Sequence, residues 1–282
     1  MPLVRGILVG PPHTYLVQVS TALGMDVFDN PGEATHLLNL VARLRLAFDL
    51  RIFGYLISTS GFELIVRHHP TIIDTDEQLR VRWANIAGSS LTSMTRIKQR
   101  FASLGGFMQT LLQRFSREWN RRHHSRGHLW AGRYRACLLA DDSALLAAVA
   151  WLEDTKHQHV GSVFSSNAAR TPHETRTEAL VPLAPLPIRR GPDGSFFPGD
   201  ESPPGLPPLT DHDGQAGFHD YADQLPIADL AAYGDALKNG WALGRPESLS
   251  GILSRIGRSG GRGRSRKLRE LDDQLGLCGV WG

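Results

Sequence analysis

Along the first part of the chain the apolar positions switch repeatedly between a period of two and a period near four, and each switch marks an element boundary. Thr14 to Ser20 carries Tyr15, Val17 and Val19 in strand-like alternation. Asn30-Pro31-Gly32-Glu33 reads as a helix start, with Asn30 as cap, Pro31 in the first turn and Glu33 placed to reach back. The helix it opens places Leu37, Leu40, Val41, Leu44 and Phe48 on one face. Arg51 to Ile57 and Phe62 to His68 are rich in β-branched and aromatic residues and flank Ser58-Thr59-Ser60-Gly61, a pattern that predicts a hairpin. Asp76 to Ala87, with Leu79 and Trp83 four apart, predicts a helix inside a long insertion over 72–103 to which the sequence assigns no role. A longer helix is expected over roughly Gly106 to Arg122, burying Met108, Leu111, Leu112, Phe115 and Trp119 while Arg114, Arg117 and Arg121 point elsewhere. Tyr134 to Leu139 reads as a short strand, and Asp141 or Asp142 can cap a final helix through Ser143 to about Asp154.

The order strand, helix, strand, strand, helix, strand, helix predicts an α+β fold of the split βαββαβ type, an antiparallel sheet covered by helices. Three regions are expected: a domain over 1–161, a Pro- and Gly-rich linker over 162–226, and a basic C-terminal segment over 227–282. The linker reading rests on runs such as Pro203-Pro204-Gly205-Leu206-Pro207-Pro208, which lack donors and periodicity. Beyond it, Ala228 to Lys238 and Glu247 to Ile256 read as short helices, and Arg255 to Arg269 carries seven basic residues without an acid.

Charge changes the picture more than length does. The net charge of +3 hides a local segregation, with basic residues concentrated around 114–135 and again around 255–269, and local potential governs polyanion binding more than net charge. Arg121, Arg122, His123, His124, Arg126, Arg133 and Arg135 can all donate to phosphate. Trp130 and Tyr134 add rings on which an unpaired base could stack. The plain alternative is a solvated basic loop with two core aromatics. Cys137 and Cys278 are the only cysteines, so neither a disulfide framework nor a cysteine zinc site is encoded, and a reducing cytoplasm is the expected location. No apolar run reaches membrane-spanning length.

The sequence Asn120-Arg121-Arg122-His123, a short gap, Gly127-His128-Leu129-Trp130, then Ala131-Gly132-Arg133-Tyr134-Arg135-Ala136, an acidic pair and Ala144-Leu145-Leu146 resembles the single-tyrosine HUH transposases, in particular the REP-associated transposase-like group within the insertion-sequence-200-like family. The match keeps its spacing over nearly thirty positions and extends weakly from Tyr15 to about Gly161. The basic tail, with Arg262, Arg264, Arg266 and Lys267, is similar to the tails of longer members. The resemblance implies a ferredoxin-like domain that handles single-stranded or hairpin DNA, with Arg121, Arg122, Arg126, Arg133 and Arg135 on phosphates, Trp130 and Tyr134 available to bases, and His128 on a phosphate or at the Gly127 turn.

Cleavage in that family requires a divalent metal on a His-hydrophobic-His pair and an attacking tyrosine. Here the corresponding triplet is Gly61-Phe62-Glu63, and Trp151 stands where the tyrosine is expected. Gly61 has no ligand atom, indole has no nucleophilic oxygen, and Glu63 is expected as a solvated strand-end carboxylate. His68 and His69 are adjacent and point to opposite faces, while His157 and His159 have the spacing of a pair but fall in a helix end or loop after Trp151. The expectation is therefore a transposase-like DNA-binding protein without catalysis, resident metal or cofactor, acting on DNA away from membranes, with a homodimer allowed. Two alternatives stay open: an active DNA-nicking enzyme that uses Glu63 with magnesium or manganese, and a protein-interaction adaptor docking through the Pro-rich segment.

Overall fold

Period-two segments become the strands of one sheet. The computed structural model describes residues 12–70, 72, 74–87, 93–158, 162–165, 181, 183–190, 196–199, 227–257, 267–271 and 276–281. Strand β1 (His13–Ser20) leads through α1 (Pro31–Ala47) to the hairpin of β2 (Leu50–Ser58) and β3 (Gly61–His68). Helices α2 (Asp76–Ala87), α3 (Met94–Phe101) and α4 (Leu104–Arg122) follow, then β4 (Arg135–Leu139) and α5 (Asp142–Gln158). β1 runs antiparallel to both β3 and β4, so the central order is β2-β3-β1-β4.

Alternation along these strands sends side chains to two separate cores. Val17, Val19, Phe62, Leu64 and Val66 meet α1 and α4, through residues such as Leu37, Leu40, Met108 and Phe115. Leu16, Phe53, Leu56, Ile65, Cys137 and Leu139 point the other way, into a second core with α5. The apolar helix α5 suits this place because Ala144 through Leu152 are all buried there. Burial pushes the Cys137 thiol up to about 12, which leaves it an inert core group.

Local signals set the helix ends. Asn30 accepts a hydrogen bond from the Gly32 N–H at 2.9 Å, and Asp141, not Asp142, caps α5 by accepting from the Ala144 N–H at 2.9 Å. Glu33 does not reach back to the cap as expected. Its carboxylate turns to Arg122 and His123 from α4 and its C-terminal end. The expectation of a single helix in the insertion is likewise corrected, since α3 is a second one, burying Ile97 and Phe101.

The sheet continues past both expected region boundaries. Strand β5 (Ser162–Ser165) pairs with β2, and β6 (Ile188–Arg190) and β7 (Phe196–Pro198) form a small ribbon. Helix α6 (Ile227–Asn239), β8 (Ala242–Gly244), α7 (Pro246–Gly257), β9 (Lys267–Glu270) and β10 (Cys278–Trp281) complete the described chain. The eight-stranded order is β5-β2-β3-β1-β4-β8-β10-β9, with β8 parallel to β4 and the other neighbours antiparallel. Asp141 also accepts from the Arg245 N–H at 2.7 Å, tying β8 to the start of α5. Val181 and Ile188, inside the segment expected as linker, are buried in the two cores. The described parts of that segment and of the C-terminal region are thus built into the main sheet and its cores rather than set apart from them. Among the described residues no helix is long and apolar enough to cross a membrane.

Candidate nucleic-acid interface

The basic segment after α4 is stitched to the end of the sheet. Trp130 forms an isolated antiparallel bridge with Thr21, the Ala22 N–H donates to the Leu129 carbonyl at 2.8 Å, and the Ala131 N–H donates to the Ser20 carbonyl at 2.9 Å. The Trp130 indole N–H donates to the Leu112 carbonyl of α4 at 3.1 Å. Its ring lies among Phe28, Phe62 and Phe115, with centroids 5.6 to 6.4 Å away. The indole is half-buried and its one donor is taken, so Trp130 is first a packing residue, contrary to the expectation of a ring held out for a base.

That stitching leaves a groove between α3, α4 and the 127–134 segment, a concavity of about 970 Å³. Arg96 and Arg100 come from α3, Arg117 from α4, and Arg133 with His128 from the loop, and among the described residues no carboxylate lines it. Gly106 makes the seam between the two helices, since a Cβ there would sit 2.1 Å from the Arg100 carbonyl oxygen. The Ser103 side chain caps α4 by accepting from the Gly106 N–H at 3.0 Å, which turns the positive end of a 19-residue helix toward the same space. A second concavity of about 520 Å³ shares Arg100, Gln113 and Arg117 with the first and adds Arg114 and Arg121. Its one carboxylate, Glu118, is engaged by Arg114 at 3.0 Å and His36 at 2.6 Å. Burial alone would raise Glu118, but these two hydrogen bonds and charges outweigh it and hold the group below the usual carboxylate range. Excess positive charge in a concave wall of low dielectric attracts and concentrates polyanions.

The residues expected on DNA divide into four groups. His128, Arg133 and Tyr134 line the groove with Trp130, and Arg121 lines its extension. Tyr134 is 9% exposed, so little of its ring is presented there. Arg122 is not a free cation: its Nε donates to Glu33 at 3.2 Å, with His123 Nε2 at 2.9 Å from the same carboxylate. Burial raises Glu33, yet the Arg122 and His123 contacts prevail and hold it below its ordinary range. Arg126 and Arg135 are exposed outside both concavities, Arg135 on the opposite face of the sheet beside Gln18. Arg262, Arg264 and Arg266 lie outside the described residues, and for Lys267 only the backbone, paired with Trp281, is described. Arg96, Arg100 and Arg117 were missed as a set. The signal was present in the basic stripe of Met94–Phe101, but its place depends on how the insertion folds back on α4.

The positions that the resemblance marks for catalysis lie elsewhere, Gly61 and Glu63 on β3 and Trp151 on α5. A Cβ on Gly61 would come within 2.4 Å of the Val19 carbonyl oxygen, so the backbone here admits no side chain. Glu63 is not the solvated strand-end residue expected. Its Oε1 accepts from Gln18 at 2.9 Å and its Oε2 is buried with no hydrogen-bond partner among the described residues. Burial raises its pKa, only partly opposed by the Gln18 hydrogen bond and the charge of Lys238. α6 packs on α5, with Lys238 over the Trp151 ring at 5.3 Å, and this brings the Lys238 charge within reach of Glu63. Trp151 is 4% exposed within the second core. His68 is buried with Nε2 2.9 Å from the Phe101 carbonyl, His159 lies outside the described residues, and of the His157 side chain nothing is described. Among the described residues no group of three or more His, Cys, Asp or Glu could hold a metal ion.

No protein-family model matches the chain, and no curated protein or solved structure matches it.

Proposed function

We propose that this chain is a transposase-like DNA-binding protein that holds single-stranded or hairpin DNA in the groove between α3, α4 and the 127–134 segment, without cutting it. The observation that carries this reading is a concave wall bearing Arg96, Arg100, Arg117 and Arg133, with no lining carboxylate among the described residues. Four guanidinium groups on three chain segments suit a ligand with several phosphates better than a single small anion. The strand order β2-β3-β1-β4, with crossing helices, favours a ferredoxin-like core. The segment-wide resemblance from Asn120 to Leu146 points to the same DNA-handling class. A binding rather than a cleaving role is supported by the backbone contact at Gly61 and the enclosure of Glu63.

The test is anisotropy of a labelled DNA hairpin with single-stranded flanks, titrated with the full chain across about 50 to 200 mM salt. If the four groove arginines each neutralise a phosphate of an unpaired strand, the log–log salt slope is about −3, from roughly −0.7 per contact. Binding with a flat salt response, or a metal-dependent covalent DNA adduct in a preparation cleared of nuclease, overturns the proposal.

A further inference from the structure

The groove carries a second kind of side chain that phosphate binding does not use. On α4, Gln109, Gln113, Arg117 and Arg121 follow one another at intervals of four, which places them on one stripe of the helix. The first three of these line the main concavity, and Gln99 faces it from α3. Gln99, Gln109 and Gln113 are exposed, and among the described residues none of their amides makes a hydrogen bond. Below them the surface is formed in part by Leu112, Leu129 and the half-buried Trp130.

We propose that this glutamine row reads base identity in unpaired DNA, while the flanking arginines hold the phosphates; the inference rests on the DNA-binding reading above and names what the site distinguishes. A carboxamide offers one acceptor and two donors on a planar group, which matches the donor and acceptor pairs on a base edge. Adenine, with adjacent N6 donor and N1 or N7 acceptor, is the best partner for such a group. A phosphate offers acceptors only, and a surface evolved for phosphate alone gains little from three uncharged amides at its centre. In a duplex the Watson–Crick edges are consumed, so a concave site of this kind discriminates in favour of splayed, single-stranded bases. The two chemistries are spatially ordered. Arg96, Arg117 and Arg133 come from three different segments around the space that the glutamines line.

The experiment compares the full chain on labelled oligodeoxyadenylate, oligodeoxycytidylate and oligothymidylate of equal length, and on a duplex of the same length. The adenine strand is expected to bind best, by about 5- to 100-fold over the weakest homopolymer. Gln109→Ala with Gln113→Ala is expected to remove that preference and leave the salt slope unchanged. Arg96→Ala with Arg117→Ala is expected to weaken all strands together and flatten the slope by about 1.4, with the base preference kept. All four are exposed surface positions, and an unchanged thermal midpoint verifies that each variant is folded. Equal binding of all three homopolymers with a steep salt slope overturns base reading while leaving DNA binding intact. So does a Gln109→Ala, Gln113→Ala protein that keeps the preference, or a wild-type protein that favours duplex. Absence of binding to every probe overturns the DNA-binding reading itself.

Discussion

The two faces of the central sheet hold charged groups in opposite circumstances. On the α4 side, Arg96, Arg117 and Arg133 line an open groove with no carboxylate among its described walls. On the α5 side, Glu63 has one oxygen buried without a partner among the described residues, within reach of the charge of Lys238 from α6. Exposed cations gathered in a groove repel one another, and a polyanion relieves that repulsion, which is why the proposed binding site is placed on this face. Burial drives that carboxylate toward its neutral form, only partly opposed by the Gln18 hydrogen bond and the charge of Lys238.

The largest test of that contrast is to restore the histidine pair on the α5 side. Gly61→His combined with Glu63→His is expected to destabilise the fold by about 3 kcal/mol or more, because the first histidine must displace the Val19 backbone. Denaturant titration gives the loss, and a folded double variant that cleaves DNA with manganese would erase the distinction between the faces.

Next in size is Trp130→Ala, which empties a half-buried aromatic cluster and frees the Leu112 carbonyl. The expected cost is about 2–3 kcal/mol, less than for a fully buried indole. At about 2–4 °C per kcal/mol this lowers the thermal midpoint measurably, and DNA affinity of the folded fraction changes little. An unchanged midpoint with a selective loss of single-stranded binding would return Trp130 to the base-stacking role.

The smallest effect concerns Glu33, whose pairing with Arg122 removes one arginine from the open face. Glu33→Gln is expected to cost about 1–2 kcal/mol at neutral pH, discounted because Arg122 and His123 are partly solvated. The folded-state pKa lies below the unfolded value of about 4.5, so the carboxylate's contribution is full above that pH and is lost as pH falls through the folded value. The gap in thermal midpoint between wild type and variant should therefore close in acid; a gap that persists there would show that charge is not its cause. The liberated Arg122 should also steepen the salt dependence of DNA binding slightly.

Periodicity made the main elements legible, because each of the first four strands and the helices α1, α2, α4 and α5 buries enough apolar side chains to impose its own repeat. Short elements escaped. β8 is three residues, Ala242–Gly244, and α3 contributes only two buried apolar residues, so neither outweighs its polar surroundings. Site residues were legible as types, not as partnerships. Arg122 and Glu33 are 89 positions apart, and nothing local in either segment announces the pair. Glu63 reads as a surface residue for the same reason: the charge that reaches it comes from Lys238, in a segment whose docking no local pattern records.

The parallel pairing of β4 with β8 also has a history in time. Leu139 and its partner Leu243 are separated by about 100 residues, which a ribosome takes roughly 5–20 s to add. During that interval the nascent sheet ends at β4 with an unsatisfied edge, and the second core lacks α6. Such an edge is a template for pairing with another chain. Biosynthesis of this protein thus contains a window in which neighbouring copies compete with its own C-terminus for the same strand.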